Sequence, residues 1–271
     1  MLNQFINILF KDFFFIAGPC LVESHDLIFE VAEKLSSIKK KYNVPIILKG
    51  SFKKANRTSI SGVMTTGTEE SLTALNNAGK FYNMPTLTDV HTESDAILAS
   101  KYVDVLQIPA FLSRQTELIQ TAAKTGKWVN IKKGQFMAPD DMKFAVEKVK
   151  ITGHNKVMIC ERGSSFGYHN LVVDMRGLII MRESGVPVIY DATHSLQLPS
   201  GENGKSGGNS EYVLPLARAA VSVGVNGVFF ETHPNPVKAL SDSATQLDLK
   251  KADQFVEQIL DLNRLVKSFQ S

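Results

Sequence analysis

Short apolar runs alternate with amphipathic stretches along almost the whole chain. The runs are rich in Val, Ile and Phe and do not alternate cleanly with polar residues, which is typical of parallel strands covered on both faces. They predict eight strands, at residues 13–17, 45–49, 85–89, 103–108, 128–132, 156–160, 187–191 and 227–231.

The stretches between these runs predict helices. In residues 26–38 the apolar positions fall on one face of a 3.6-residue period. The sequence TESD at 92–95 has the spacing of a capping box, so a helix is expected to begin there. A further helix is expected to end at Gly224, and Pro215 within it predicts either a first turn or a kink.

Eight strand–helix alternations without a change in composition predict a single (β/α)8 TIM barrel, one catalytic domain over residues 1–271. An open, doubly wound sheet is the alternative fold. A short N-terminal extension, residues 1–12, is expected to cover the bottom of the barrel. Chemistry in such a barrel gathers where the strands end. The polar or reactive residues at these ends are Cys20, Lys49, Asp89, Gln107, Lys132, Glu161, Arg162, Asp191, His194 and Glu231.

Composition narrows the class of protein. With 44% hydrophobic and 21% charged residues, the 271-residue chain has the composition of a globular protein, and its net charge of +3 does not indicate a nucleic-acid partner. Two cysteines cannot form a disulfide framework, which favours a reducing compartment. No apolar stretch reaches the roughly 18 residues of a membrane span, and the opening residues lack the pattern of an export signal. We therefore expect a cytoplasmic protein.

Cations follow several of the predicted strands. Lys49, Lys54, Arg57, Lys132 and Arg162 are expected at one barrel mouth. Charges at partly enclosed strand ends require partners, and several cations around one pocket predict a polyanionic ligand carrying phosphate and carboxylate groups.

A second group of residues could bind a metal. Cys20, His194, Glu231 and Asp242 lie on or after the first, seventh and eighth predicted strands, which are neighbours in a closed barrel. A thiolate, an imidazole and two carboxylates suit a borderline divalent ion such as Zn²⁺, Fe²⁺ or Mn²⁺. On spacing alone, a small buried apolar residue is the commoner outcome for a cysteine such as Cys20.

The Gly-Lys-Ser at 204–206 does not complete a phosphate-binding P-loop, because Pro199 stands where that motif needs glycine. The glycines around it predict a flexible loop over the barrel mouth.

Long motifs follow one another along the chain: IAGPC, KKANR, TDVH, QIPAFLSRQT, NIKKGQF, RGSSFGYHNLVVDMR, YDATHSLQLP and ETHPNPVKALSDSATQL. Together they resemble the 3-deoxy-D-manno-octulosonate 8-phosphate synthases. The resemblance implies a TIM barrel, usually a homotetramer, without an organic cofactor. Its reaction condenses phosphoenolpyruvate with D-arabinose 5-phosphate and water, releases phosphate, and serves lipopolysaccharide core biosynthesis.

The resemblance also implies roles for particular residues. The metal-dependent branch has cysteine after Ala-Gly-Pro where the other branch has asparagine, so Cys20 resembles a metal ligand, together with His194, Glu231 and Asp242. The phosphoenolpyruvate ligands would be Lys49, Lys54, Lys132 and Arg162. The sugar-phosphate ligands would be Asn56, Arg57 and Thr58, with Arg114 from a neighbouring subunit, and Gln107 and Asp89 would line the pocket. The catalytic residues implied are His194, Lys132, Asp242 and Asp89.

The match has departures. Lys53 stands where an aspartate is frequent, Thr58 where serine is common, and residues 61–67 differ from the usual loop. Three other functions remain open at this point. One is the related heptulosonate synthase, which uses erythrose 4-phosphate; another is a Schiff-base aldolase acting through Lys49 or Lys132. The third is a sugar-phosphate binding module without catalysis.

Overall fold

Eight parallel strands close into a barrel in the computed structural model, which describes residues 12–54, 67–202 and 205–269. The strands β1 to β8 are Phe14–Gly18, Ile46–Lys49, Thr86–Asp89, Val105–Ile108, Trp128–Lys132, Val157–Glu161, Val188–Asp191 and Gly227–His233.

One helix follows each strand and packs outside the barrel. The helices α1 to α8 are His25–Tyr42, Thr68–Phe81, Glu93–Ala99, Thr116–Lys124, Met142–Lys150, Met175–Arg182, Val213–Ser222 and Ala252–Ser268.

The pairing of the first and last strands closes the sheet. Ile16 of β1 lies opposite Ile47 of β2 on one side and Phe229 of β8 on the other, in parallel register. The predicted (β/α)8 barrel is thereby confirmed and the open-sheet alternative is wrong. The prediction of one domain over residues 1–271 reaches beyond the described residues and stays a prediction.

Alternation along the strands divides the barrel interior into two layers. The inward side chains near the strand beginnings are apolar, while those at the strand ends include Lys49, Asp89, Gln107, Lys132 and Glu231. Because polar side chains line the barrel interior only at the strand ends, polar ligands can be bound only at the mouth where the strands end. The apolar layer consists of Phe14, Ile16, Ile47, Leu87, Val105, Met158, Cys160, Ile189 and Phe229.

Two glycines allow the backbone to pass close to its neighbours in β1 and β8. A Cβ on Gly18 would lie 1.9 Å from the carbonyl oxygen of Lys49, and one on Gly227 would lie 2.7 Å from that of Phe14. Both contacts are closer than real Cβ atoms allow, so any larger residue would push β1 away from β2 or β8. The first of these glycines sets the path of the chain that leads to Cys20.

Most local predictions are confirmed, with small shifts at the ends. Thr92 caps α3 and accepts the backbone N–H of Asp95 at 3.1 Å, but the Asp95 carboxylate accepts the N–H of His91 rather than that of Thr92. Pro215 is the third residue of α7 and therefore sits in its first turn. Gly224 follows that helix with a positive φ of 90°.

The glycine-rich segment after β7 differs from its prediction. Instead of an irregular loop, Gln197–Glu202 and Lys205–Gly208 pair as an antiparallel hairpin. Gly207 and Gly208 lie opposite Leu198 and Gln197, and a Cβ on Gly208 would lie 2.2 Å from Thr245 Cγ2.

Two expectations concern the chain outside the barrel. The proposed N-terminal cover consists of residues 1–12. Residues 1–11 lie outside the described residues, so the cover stays a prediction. Across the described ranges, no helix combines the length and apolarity needed to cross a membrane.

Replacing Phe14 by alanine is expected to destabilise the protein by about 3–5 kcal/mol, because it leaves a cavity in the closed barrel floor. Phe14 is fully buried, whereas Phe269 is 76% exposed. The matched variant Phe269→Ala should unfold at nearly the wild-type urea concentration. The urea midpoints are measured by circular dichroism, and equal midpoints for the two variants would contradict the packing described here.

Candidate active site

Polar and charged side chains from four strand ends, and from the loops after β1, β2, β7 and β8, converge at the barrel mouth. Almost all are buried, so each charge must be compensated by a neighbour. This group, called here the mouth cluster, consists of Cys20, Lys49, Lys54, Lys132, Asp191, His194, Glu231 and Asp242.

The ion pair between Lys49 and Glu231 joins β2 to β8. Lys49 Nζ lies 2.6 Å from Glu231 Oε1, and both side chains are 1% exposed. The same ammonium donates to the carbonyl oxygens of Pro19 and Cys20, at 3.2 and 2.7 Å. Burial is the largest single effect and lowers the pKa of Lys49, but Glu231 and the other acidic groups around it together reverse this effect and the net pKa is raised. Lys49 is therefore charged.

Asp191 organises the other side of the mouth cluster. Its Oδ2 lies 2.7 Å from Lys132 Nζ and 2.8 Å from His194 Nδ1, while Oδ1 accepts the N–H groups of Thr193 and His194. Burial raises the pKa of Asp191, yet His194 and Lys132 hold it well below its usual range. The carboxylate thus fixes the His194 ring by Nδ1 and leaves Nε2 facing β8.

The sequence analysis places Asp191 among the polar residues at the strand ends but assigns it no role in the site. Its position at the end of β7, three residues before His194 in YDATHS, was the available signal. A carboxylate that orients an imidazole by Nδ1 is a common feature of catalytic and metal-binding histidines.

Three of the four proposed metal ligands form a tight group, and the fourth, His194, lies beside two of them. The donor atoms of Cys20, Glu231 and Asp242 lie within 4.8 Å of one another. His194 Nε2 is 3.4 Å from Glu231 Oε1 and 3.7 Å from Asp242 Oδ2. Burial, and then the Asp242 carboxylate, raise the pKa of the Cys20 thiol well above its ordinary value, and the thiol donates to Asp242 Oδ2 at 3.0 Å.

The donor set fits a divalent cation. Glu231 Oε2 is buried and has no hydrogen-bond partner among the described residues, which leaves one carboxylate oxygen available for another ligand. One sulfur, one nitrogen and carboxylate oxygens match the preferences of borderline metals. Lys54, whose Nζ lies 2.5 Å from Asp242 Oδ2, balances part of the negative charge.

Asp242 adopts a left-handed backbone conformation with φ of 49°, which is strained for a residue other than glycine. The buried side chain of Gln246 donates to Ser241 O at 2.7 Å and lies 3.4 Å, by its Oε1, from the backbone nitrogen of Cys20. Gln246 therefore ties the loop that carries Asp242 to the segment that carries Cys20. Sequence reasoning missed this residue, because its role depends on a contact between distant segments.

A chain of amides leads to Asp89 on the opposite side of the mouth. Asn130 donates to Gln107 at 2.8 Å, and Gln107 donates to Asp89 Oδ1 at 2.8 Å, while Ser51 donates to Oδ2 at 2.5 Å. Burial raises the pKa of Asp89, but Lys49 and Lys132 reverse this effect and lower it. Asp89 is thus an ionised acceptor, and Asn130 fixes the orientation of the Gln107 amide.

Arg162 brings a buried guanidinium with spare donors to the mouth. Its Nη2 donates to Gln197 Oε1 at 2.8 Å, whereas Nη1 is buried without a partner among the described residues. Burial lowers the pKa of Arg162, opposed by the nearby carboxylates of Asp191 and Asp242. An unsatisfied buried guanidinium N–H indicates a place for an anion.

Comparisons with known proteins agree with this geometry. Residues 11–268 match the model of the DAHP synthetase I family. A 2-dehydro-3-deoxyphosphooctonate aldolase of Legionella pneumophila (strain Corby) is 51% identical over 259 residues, covering 96% of this chain and 94% of the relative. The same-named protein of Methylibium petroleiphilum is 48% identical over 264 residues, with coverages of 95% and 93%. The chain belongs to this aldolase family. Its members are also called 3-deoxy-D-manno-octulosonate 8-phosphate synthases.

Not every predicted site residue of this aldolase-family chain reaches the mouth cluster. Arg114 lies after β4 and its side chain is exposed. Asn56, Arg57 and Thr58 lie outside the described residues.

Glu161, one of the polar residues at the strand ends, does not point into the barrel mouth. Its side chain faces outward from β6, where Oε1 lies 3.5 Å from Lys133 Nζ and accepts the N–H of Gly163 at 2.6 Å. The alternation of the strand explains this, because Cys160 belongs to the barrel interior and its neighbour must face the other way.

Replacing Lys49 by methionine is expected to destabilise the metal-free protein by about 3–5 kcal/mol, because Glu231 then keeps a buried charge without its partner. The matched variant Lys41→Met removes an exposed pair with Asp253 and should leave the urea midpoint nearly unchanged. Similar midpoints for both variants, measured in chelator, would show that the buried pair does not carry this weight.

Proposed function

We infer that this chain condenses phosphoenolpyruvate with D-arabinose 5-phosphate and water, forming 3-deoxy-D-manno-octulosonate 8-phosphate and inorganic phosphate. The observation that carries this conclusion is the match, at 51% identity over 96% of the chain, to relatives named for this chemistry. The buried cationic barrel mouth suits two phosphorylated substrates. The reaction belongs to lipopolysaccharide core biosynthesis.

Phosphoenolpyruvate is proposed to bind to Lys49, Lys54, Lys132 and Arg162. Arg162 Nη1 has no partner among the described residues and can donate to a phosphate or carboxylate oxygen. Lys132 Nζ sits 3.9 Å from the centroid of the Phe229 ring, at the boundary between the apolar floor and the polar mouth. Fixed cations at this depth hold the anion without reorganising during the reaction.

The reaction proposed for this site balances as follows. C3 of phosphoenolpyruvate forms a bond to the sugar aldehyde carbon, whose oxygen takes up a proton, while water adds to C2 and loses a proton. The resulting C2 adduct then expels phosphate by cleavage of its C–O bond. Positive charge develops at C2 during the addition, and the ionised Asp191 and Glu231 stabilise it electrostatically.

His194 is proposed to act in the reaction as a ligand of the divalent ion. Its Nδ1 is held by Asp191 at 2.8 Å, so Nε2 is the nitrogen that faces the carboxylates of Glu231 and Asp242. Asp89 is proposed to accept a hydroxyl hydrogen of the sugar, since Gln107 and Ser51 already orient both of its oxygens. This orientation would place the aldehyde beside phosphoenolpyruvate.

Cys20, His194, Glu231 and Asp242 are proposed to hold a divalent ion such as Zn²⁺, Fe²⁺ or Mn²⁺. The support for this proposal is the clustering of their donor atoms and the free oxygen of Glu231. When bound, such an ion supplies a Lewis acid that can acidify water or polarise an aldehyde oxygen. No organic cofactor enters the proposed reaction.

Asn56, Arg57 and Thr58 remain the proposed ligands of the sugar phosphate, together with Arg114 from a neighbouring copy in a homotetramer. The exposure of Arg114 is compatible with a role in another subunit. Large aromatic residues exposed on the loops after β4, β5 and β6 provide apolar surface for such an assembly. They are Phe111, Phe136, Phe166 and Tyr168. The two cysteines are free, which supports a cytoplasmic location.

Schiff-base chemistry is disfavoured by the state of the mouth lysines. A nucleophilic lysine must lose its proton, but Lys49 is paired with Glu231 and its pKa is raised. Lys132 is paired with Asp191 at 2.7 Å. Erythrose 4-phosphate is disfavoured as substrate because the relatives carry the phosphooctonate name.

Purified protein supplied with phosphoenolpyruvate and divalent metal is expected to release phosphate with arabinose 5-phosphate and far more slowly with erythrose 4-phosphate. The two sugars should be compared as kcat/KM in one phosphate-release assay. A preference for erythrose 4-phosphate would overturn the proposed substrate. Trapping of a substrate on Lys49 or Lys132 by borohydride would overturn the reaction type.

Cys20→Ala is expected to weaken metal binding sharply, because it removes the softest of the four donors. The barrel should still fold, since its core does not depend on this side chain. Metal content after dialysis and the metal dissociation constant are the measurements, with Cys160→Ala as the matched control in the apolar layer. Equal metal retention by the two variants, or full wild-type activity in excess chelator, would remove Cys20 from the metal site. Cys20→Asn tests whether the chain can act without metal.

A further inference from the structure

A second buried ion pair lies behind the mouth cluster, on the outer side of the barrel wall. Lys133 is fully buried and Glu161 is 2% exposed, and Lys133 Nζ lies 3.5 Å from Glu161 Oε1. Neither side chain reaches the mouth. The proposed reaction assigns no task to this pair, called here the outer clamp.

The outer clamp joins the loops that follow β5 and β6. Lys133 Nζ lies 2.9 Å from Ser164 Oγ and 3.3 Å from each of the carbonyl oxygens of Gly134 and Met137. The Glu161 carboxylate accepts the backbone N–H of Gly163. One cation and one anion therefore satisfy polar groups in both loops and hold the loops against each other.

Each member of the outer clamp is the chain neighbour of a cation in the mouth. Lys132 and Lys133 are consecutive at the end of β5, and Glu161 and Arg162 are consecutive at the end of β6. Since side chains alternate across a strand, the clamp and the two mouth cations lie back to back. Lys132 is opposite Cys160 in the parallel register, so the two strand ends are directly paired.

The turn after β6 depends on Glu161. Gly163 has a positive φ of 92°, and its N–H lies 2.6 Å from Glu161 Oε1. This bond holds the turn directly after Arg162 and thereby fixes the direction in which the Arg162 side chain leaves the strand and enters the mouth.

Stability alone gives a weak reason for burying this pair. Burial lowers the pKa of Lys133 and raises that of Glu161, and in each case it outweighs the attraction between the partners. Replacing a buried ion pair by apolar residues of similar volume is often neutral or stabilising. A pair retained at such a cost is explained better by what it positions.

We propose that the outer clamp of Lys133 and Glu161 positions Lys132 and Arg162 for binding of phosphoenolpyruvate. This inference rests on the function proposed above. Lys133 and Glu161 are positioning residues, because they touch backbone groups and loops rather than substrate. Loss of the clamp should therefore weaken the hold on phosphoenolpyruvate and leave the sugar side, organised by Asp89 on β3, largely unchanged.

The decisive variant is Lys133→Met combined with Glu161→Met, which removes both charges together. Its urea midpoint is expected to stay near wild type, because no unpaired buried charge remains. The dissociation constant for phosphoenolpyruvate, measured by calorimetry, should rise by about 10- to 100-fold, the effect expected of misplaced binding groups. The KM for arabinose 5-phosphate should change by less than about twofold, since its contacts lie elsewhere in the proposed site.

Two further variants keep the test informative if the double variant folds poorly. Ser164→Ala removes one acceptor of Lys133 and keeps both charges, and should raise the phosphoenolpyruvate dissociation constant several-fold. Lys156→Met removes a lysine that donates to Gly126 O just before β6, and should leave that constant unchanged.

Wild-type affinity for phosphoenolpyruvate in the folded double variant, or in Ser164→Ala, would overturn the positioning role. Equal losses toward both substrates would overturn it as well, since they would indicate a general structural effect. A wild-type protein that binds phosphoenolpyruvate but accepts a different sugar would contradict the proposed function while leaving the clamp intact. Failure of the wild type to bind phosphoenolpyruvate would remove both.

Discussion

The barrel mouth depends on the compensation of buried carboxylates by lysines from other strands. Glu231 is held by Lys49, and Asp191 is held by Lys132, with donor–acceptor distances of 2.6 and 2.7 Å. Each pair connects two strand ends, so the same contacts that neutralise charge also fix the shape of the pocket. Unpaired, any of these charges would carry a desolvation cost of several kcal/mol.

This compensation also explains how the site holds charges of both signs without a proton passing from a lysine to a carboxylate. The carboxylates of Asp191 and Glu231 keep lowered pKa values and Lys49 a raised one, so all three stay ionised at neutral pH. Fixed charges of both signs suit a reaction whose substrates are anions and whose transition state gains positive charge. The apolar layer beneath, with Phe229 against Lys132, keeps the interior dry and strengthens these interactions.

The fold could be predicted from the sequence because it rests on a repeated pattern, an apolar run followed by an amphipathic stretch. The direction of single side chains at strand ends could not always be predicted. Glu161 stands at a strand end, but its neighbour Cys160 faces the barrel interior, so the Glu161 side chain faces outward and pairs with Lys133. The hairpin after β7 could not be predicted, because its pairing depends on backbone contacts that a glycine-rich composition does not specify.

The candidate site likewise contains residues that the sequence indicates and residues that only the contacts of the folded chain reveal. Cys20, His194, Glu231 and Asp242 could be proposed together because neighbouring strands of a closed barrel bring their ends together. Gln246 could not be found this way, since its contacts with Ser241 and Cys20 exist only after the loop has folded. Residues that bear the chemistry therefore leave a signal in the sequence through their type and their place at strand ends. Residues that orient them act through backbone groups, for which many side chains would suffice, and only the folded arrangement distinguishes them.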